Sequence, residues 1–291
     1  MEKTAKRGPR LNRTIELFEA QIPALGIFVL NIGSRGAAAM ASSALDFVII
    51  EMEHTPFDPA KLEGYLLALT DKRRILEKAS LQPEVVPLVR IPASGRERMA
   101  YLVKQVLDLG VFGVVAPHVN NAEEALETVC AMRYAHAEDA RDFNPPGLRG
   151  VGHLWAARYW GLPAPEYAER ADLWPLDPRG ELILWCMVET RQGLRNCRAI
   201  AQTPGVGGIL IGTSDLSFSL EGVNRGPKTE GAVQEILGVT KEVGVPCGIV
   251  CGPDEVAARL EQGFRFLAVG ADLELPGSVE RALQIGRESR G

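Results

Sequence analysis

No run of about 18 uncharged apolar residues occurs in the sequence, so no membrane-spanning helix is expected. The longest candidate, 20–34, is interrupted by Gln21, Asn31 and Ser34 and stopped by Arg35. Positive charge is not in excess either. With 32 Lys and Arg against 37 Asp and Glu, the net charge is −5, which leaves nothing to neutralise phosphates and argues against nucleic acid as a partner. There is no G-x-G-x-x-G and no G-x-x-x-x-G-K-[ST], so nucleotide binding lacks a motif. The five cysteines (Cys130, Cys186, Cys197, Cys247 and Cys251) are odd in number and show no C-x-x-C spacing. They read as reduced thiols of a cytoplasmic protein, with Cys247 and Cys251 packed beside an apolar run. Residues 1–13 hold no apolar segment of the secretory type, and Glu2 and Pro9 fit a transit peptide poorly. They read as a solvated tail before a helix.

Short apolar runs alternate with longer amphipathic stretches. Eight runs rich in Val, Ile and Leu lie at 25–31, 46–51, 85–91, 112–117, 182–189, 207–212, 246–251 and 264–270. Continuous apolar runs of this length suit strands of a parallel sheet, buried on both faces. The spacing predicts helices at 36–44, 59–80, 95–109, 122–134, 193–202, 229–243, 254–262 and 277–287. Asp58 with Pro59 supplies a start signal for the second, and Asn120 with Asn121 supplies one for the fourth. In the third, Met99, Leu102, Val103, Val106 and Leu107 form one stripe. Eight strand–helix pairs make a (β/α)8 TIM barrel of α/β class, a single domain over 1–291. Residues 1–21 add an N-terminal tail and an extra helix at about 11–21. A long connection, 135–181, precedes strand 5 and contains Trp155, Trp160 and Trp174. Loops of this length are usually functional, so it is expected to be partly helical and to cover the barrel mouth.

Active sites of such barrels lie at the C-terminal ends of the strands. The second run ends in Glu51-Met52-Glu53-His54, the third in Arg90 and the fourth in Pro117-His118. The fifth ends in Glu189-Thr190-Arg191, the sixth in Gly212-Thr213-Ser214-Asp215 and the eighth in Gly270-Ala271-Asp272. Glu189 and Asp215 either hold a hard cation such as Mg²⁺ or Mn²⁺, which two carboxylates and substrate oxygens can satisfy, or pair with Arg191 and cap a turn. Arg90 either holds an anionic or keto oxygen of a substrate or bridges to Glu51 or Glu53. His54 reads as a general base or as a hydrogen-bonded loop residue; His118 and His153 are weaker candidates, and His136 lies in a charged stretch. The Gly212–Ser214 turn offers backbone N–H groups to a carboxylate or phosphate, and Gly270-Ala271 offers the same.

From LDFVIIEMEHTPFD through VPLVRIP, GVFGVVAPHVNNAEEA, PPGLRGVG, MVETRQGLRN and GVGGILIGTSDLSFSLEG to FRFLAVGADLEL, the chain resembles the HpcH/HpaI aldolase family over about 25–275. The resemblance implies a metal-dependent class II aldolase that cleaves a 4-hydroxy-2-keto acid to pyruvate, or a similar 2-keto acid, and an aldehyde. It implies Glu189 and Asp215 as ligands of a divalent metal (Mg²⁺ or Mn²⁺, with Co²⁺ as a third option), His54 as acid/base and Arg90 on the keto oxygen. Glu51 would orient the histidine, Gly212, Thr213 and Ser214 would hold the keto-acid carboxylate, and Arg149 would lie near the mouth. It further implies a homo-oligomer, a hexamer built as a trimer of dimers, and a place in aromatic compound catabolism. The alternatives are a lyase or decarboxylase acting on an acyl-CoA hydroxyacid or oxaloacetate, and a non-catalytic ligand-binding barrel. The chain departs from the family pattern at Glu51 (usually Asp), Thr213 (usually Pro), Met187 (often Gln) and Phe28 (commonly Trp).

Overall fold

All eight apolar runs become strands, because branched aliphatic side chains that face both a barrel interior and a helical shell must be buried on both sides. The computed structural model describes residues 9–93, 100–140, 143–222, 226–272 and 276–288. Its strands are β1 (Ala24–Val29), β2 (Phe47–Glu51), β3 (Val86–Arg90), β4 (Gly113–Ala116), the two-residue β5 (Leu173–Trp174), β6 (Leu182–Val188), β7 (Gly208–Ile211), β8 (Cys247–Val250) and β9 (Phe266–Ala271). Every pairing is parallel, and β4 pairs with β6 to close an eight-stranded barrel, leaving β5 as a short edge against the start of β6.

The helices among the described residues are α1 (Arg13–Glu19), α2 (Ser34–Met40), α3 (Pro59–Leu69), α4 (Lys72–Lys78), α5 (Ala100–Asp108), α6 (Ala122–Met132), α7 (Leu154–Trp160), α8 (Ala164–Arg170), α9 (Arg191–Ala201), α10 (Thr213–Glu221), α11 (Pro227–Val243), α12 (Val256–Gln262) and α13 (Pro276–Glu288). Asp58 caps α3 by accepting from the Lys61 N–H at 3.0 Å, and Pro59 opens the helix. The expected helix 59–80 is two helices. Asp71 accepts from the N–H groups of Arg73 and Arg74 and starts α4 afresh after the extended Thr70. Met99 of the expected 95–109 stripe lies outside the described residues.

An aromatic layer fills the barrel. Phe47 stacks on Phe266 with ring centres 3.8 Å apart, and Trp185 stacks on Phe266 at 4.0 Å. Gly26 and Gly208 make room for it, since a Cβ at either position would come within 2.4 Å of the Phe47 or Trp185 ring. Phe18 of α1 closes the layer from the N-terminal side, 5.7 Å from Trp185 and 6.3 Å from Trp174. Asn12 fixes α1 there. Its side chain caps the helix and donates to the carbonyls of Phe112 and Glu181.

Two expectations are corrected here. The described part of the N-terminal segment is not a solvated tail: Arg10, Leu11 and Asn12 are buried, and Arg10 donates to the carbonyl oxygens of Gly180 and Pro178. The 135–181 connection is partly helical, as α7 and α8, but it does not cover the mouth. Trp160 stacks on Phe112 and donates to the Gly110 carbonyl, while Trp174 packs on Phe18. Both contacts lie at the N-terminal end of the strands. Arg149 goes with them: it is buried against Asp108 at the end of α5, with its guanidinium 4.3 Å over the Tyr134 ring. Large aromatic side chains sink to whatever apolar surface is open, and the lower edge of β4 and β6 offers it.

Candidate active site at the barrel mouth

Register brings the acidic and basic strand ends together. Glu51 of β2 lies directly opposite Arg90 of β3, and Val188 opposite Ile211 sets Glu189 beside Gly212. The Arg90 guanidinium donates to Glu51 Oε2 through Nε at 2.6 Å and through a second, close contact from Nη2. Its Nη1 stands 3.3 Å from Glu53 Oε2, and the Phe28 ring lies beneath it at 4.8 Å. The bridge foreseen between Arg90 and the two glutamates is therefore formed, and it is formed inside the mouth.

Glu51 does not touch the His54 imidazole. Its Oε1 accepts from the backbone N–H of Glu53 at 2.6 Å and of His54 at 3.1 Å, and the Thr55 hydroxyl donates to its carbonyl. Glu51 thus shapes the loop that carries His54, while the ring itself, 63% exposed, faces Glu53 Oε2 at 3.6 Å.

Glu189 is 1% exposed. Its Oε1 accepts from the His118 N–H at 2.7 Å, and its Oε2 rests where a side chain on Gly212 would be, 2.1 Å from that missing Cβ. Only glycine leaves room for the carboxylate. Burial pushes the Glu189 carboxyl up to about 7, and the charges of Asp215 and Glu51 add to this. Glu53 is raised as well, chiefly by burial and, against the pull of Arg90, also by Glu189. Glu189 does not pair with Arg191, which instead engages Ser219.

The mouth therefore concentrates Glu51, Glu53 and Glu189 around one guanidinium that is already committed to two of them, with Asp215 close enough to act on the charge of Glu189. Such an excess of buried negative charge suits a hard cation held by Glu189 and Asp215. Among the described residues no group of three or more His, Cys, Asp and Glu side chains stands at metal-holding spacing. A cation here would rest on the two carboxylates and on oxygens the protein does not supply.

The Gly212–Ser214 segment is the start of α10, a helix the sequence pattern did not disclose. Gly212 is its N-cap, and Asp215 sits in its first turn. A helix start of this kind directs amide N–H groups and a positive dipole end toward anions. Gly270 and Ala271, by contrast, stay within β9, and Asp272 above them accepts from Leu30 N at 2.8 Å and Asn31 N at 3.0 Å. A carboxylate at this level disfavours the anion cradle expected there.

His118 was the weaker candidate from sequence, yet its ring stands 3.8 Å from Glu53 and 3.9 Å from Glu189. Its left-handed φ of 53° turns its N–H onto Glu189. Its place at a strand end was the available signal. His153 packs near Tyr134 and Tyr167, and His136 stands 3.5 Å from Asp172, both away from the mouth.

Residues 25–276 match the family model described as HpcH/HpaI aldolase/citrate lyase. A pyruvate aldolase of Rhizobium etli is 34% identical over 254 residues, covering 86% of this chain and 87% of the relative. A 4-hydroxy-2-oxo-heptane-1,7-dioate aldolase of Shigella sonnei is 31% identical, covering 90% and 89%. The crystal structure of an HpcH/HpaI aldolase/citrate lyase family protein from Burkholderia cenocepacia superposes with a TM-score of 0.72 at 27% identity, over 95% of this chain and 96% of that one.

Proposed function

This chain belongs to the HpcH/HpaI aldolase/citrate lyase family, and on that premise we propose that it cleaves a 4-hydroxy-2-keto acid reversibly to pyruvate, or a 2-keto acid like it, and an aldehyde. It is a carbon–carbon lyase of the aldolase type. The observation that carries this reading is the buried Glu189 beside Asp215, facing the Arg90 that Glu51 and Glu53 hold in place.

Glu189 and Asp215 would hold a divalent ion, Mg²⁺, Mn²⁺ or Co²⁺, which when bound supplies Lewis-acid polarisation of the keto acid. The chain's own groups do the rest. The N-terminal amides of α10, at Thr213 and Ser214 beyond Gly212, orient the keto-acid carboxylate. Arg90 neutralises the negative charge that develops on the former keto oxygen. In cleavage His54 takes the proton of the C4 hydroxyl, and the C4 carbonyl forms as the C3–C4 bond breaks. The electron pair of that bond passes to C3, giving the enolate, which is then protonated. In synthesis the proton returns from His54 to the new alkoxide. The exposure of His54 lets it exchange that proton with water.

Thorough treatment with EDTA is expected to abolish pyruvate-dependent aldol activity, and added Mg²⁺ or Mn²⁺ to restore it. Activity that survives chelation would remove the reading. A product screen with pyruvate plus aldehydes, against oxaloacetate and malyl-CoA, separates it from the lyase and decarboxylase alternatives. We further assign the protein to the cytoplasm, which its five free cysteines support, and to the hexameric assembly that the family resemblance implies, to be checked by sedimentation.

A further inference from the structure

Two asparagines precede α6, and only the second caps it: Asn121 accepts from the Glu124 N–H at 2.9 Å. The first, Asn120, is buried and turned to other work. Its Nδ2 donates to the His118 carbonyl at 2.8 Å, and its Oδ1 accepts a close hydrogen bond from the Thr190 hydroxyl. His118 supplies the amide that Glu189 accepts, and Thr190 directly follows Glu189. We infer that Asn120 is a positioning residue for the metal centre: it clamps the two backbone segments that aim the Glu189 carboxylate, and so sets the affinity for the divalent ion. The inference rests on the aldolase reading above, in which Glu189 is a metal ligand.

The clamp is anchored on two helices. The Asn120 N–H donates to Glu124 Oε2 of α6 at 2.7 Å, and the Asn120 carbonyl accepts from Asn196 Nδ2 of α9 at 2.7 Å. The Thr190 hydroxyl also accepts from the Gly193 N–H at 2.9 Å, which makes it the cap of α9. Between the two, the Val119 N–H donates to the Met187 carbonyl at 3.2 Å. With its amide, carbonyl and both side-chain polar atoms engaged, Asn120 has one arrangement that satisfies them all. Leaving any of these buried groups unpaired is costly.

The clamp is needed because of the backbone it holds. The left-handed φ of 53° at His118 is disfavoured for a residue with a side chain and persists only where its surroundings impose it. The Asn120 side chain imposes it from two residues on, through the His118 carbonyl. That same conformation turns the His118 N–H onto Glu189 Oε1, the one hydrogen bond Glu189 has among the described residues. On the opposite side the carboxylate is fitted against Gly212. If the turn relaxes, Glu189 loses its donor and can swing from the position in which it meets the ion together with Asp215.

The experiment titrates the EDTA-stripped protein with Mn²⁺ by calorimetry and follows urea unfolding of the same samples. Asn120→Ala is expected to weaken Mn²⁺ binding about tenfold, the lower end of what a metal ligand's outer partners carry. At saturating Mn²⁺ its kcat should stay within about twofold of the wild type, since no group that touches the keto acid is removed. Thr190→Val, which takes away the hydroxyl on Oδ1, should weaken binding in the same direction, and Thr190→Ser, which keeps it, should bind as the wild type does. Unchanged Mn²⁺ affinity in folded Asn120→Ala, whatever its unfolding midpoint, would overturn the assignment. So would a fall in kcat at saturating Mn²⁺ without a fall in affinity. If neither Asn120→Ala nor Thr190→Val folds, the clamp belongs to the fold rather than to the metal centre, and the assignment fails. Glu189→Gln tests the underlying reading separately. If the wild type binds no Mn²⁺, or Glu189→Gln binds it as tightly, the metal-dependent aldolase reading itself fails; with binding lost in Glu189→Gln and kept in Asn120→Ala, only the clamp fails.

Discussion

At the N-terminal end of the barrel, buried charges are matched. Arg133 and Asp172 meet through two hydrogen bonds of 2.7 Å, both side chains essentially out of water. Glu181 accepts from Arg170 at 2.8 Å and from the amides of Leu11 and Asn12. At the C-terminal mouth the arithmetic is different. Three carboxylates gather around Arg90, which serves Glu51 and Glu53, while Glu189 is left with the His118 amide and ring and feels the charge of Asp215. The closed network stabilises, because breaking it would strand a buried charge. The open one is poor for stability and good for binding, since an unneutralised buried negative charge gains most when a cation arrives.

The hardest test of this contrast removes one arginine from the mouth. Arg90→Ala is expected to cut turnover by about 10²–10³-fold, in line with losing a preorganised stabiliser of developing charge, while divalent-metal binding measured by calorimetry persists. Retained turnover would make Arg90 a purely structural bridge and erase the difference between the two ends. At the base, Asp172→Asn is expected to cost about 3–5 kcal/mol in urea unfolding, because the fully buried Arg133 loses its carboxylate; activity per folded molecule should stay unchanged.

The third test uses pH. The Glu189 carboxyl is pushed up to about 7, above its ordinary range. A raised folded-state value means the folded protein binds the proton more tightly. Its contribution is therefore present below the unfolded value and is lost as pH rises toward 7. Without divalent metal, the melting temperature of the wild type should fall relative to Glu189→Gln as pH rises through this window. Added Mg²⁺ should offset the fall in the wild type but not in the variant. Glu181 is raised by burial too, so the comparison with Glu189→Gln is what isolates the mouth. A parallel decline in both proteins would place the charge strain elsewhere. The smallest effect concerns Phe28. Replacing it with Leu removes the ring under Arg90, worth about 0.5–1 kcal/mol, and should raise the KM for the keto acid two- to fivefold by the same measure.

Much of this was legible in the chain. The eight strands, the Asp58 cap and six strand-end polar clusters follow from runs and caps that act over a few residues. The split at Thr70 was missed because Asp71 is one polar residue in an otherwise helical pattern. The α10 helix was missed because Gly212-Thr213-Ser214 reads as a turn until packing extends it. The partners of Glu51, its own loop amides at Glu53 and His54 and the Arg90 guanidinium across the strand pair, were not legible from its place at a strand end.

By itself, the order of apolar runs determined the barrel and which residues stand at its mouth, because strand burial and helix periodicity are local patterns that each segment carries alone. Which charges meet was decided only in three dimensions. The β2–β3 register pairs Glu51 with Arg90, the left-handed turn at His118 hands an amide to Glu189, and Trp160 and Trp174 of the long connection settle under the barrel. Those partners lie tens of residues apart, and no local pattern encodes the distance between them.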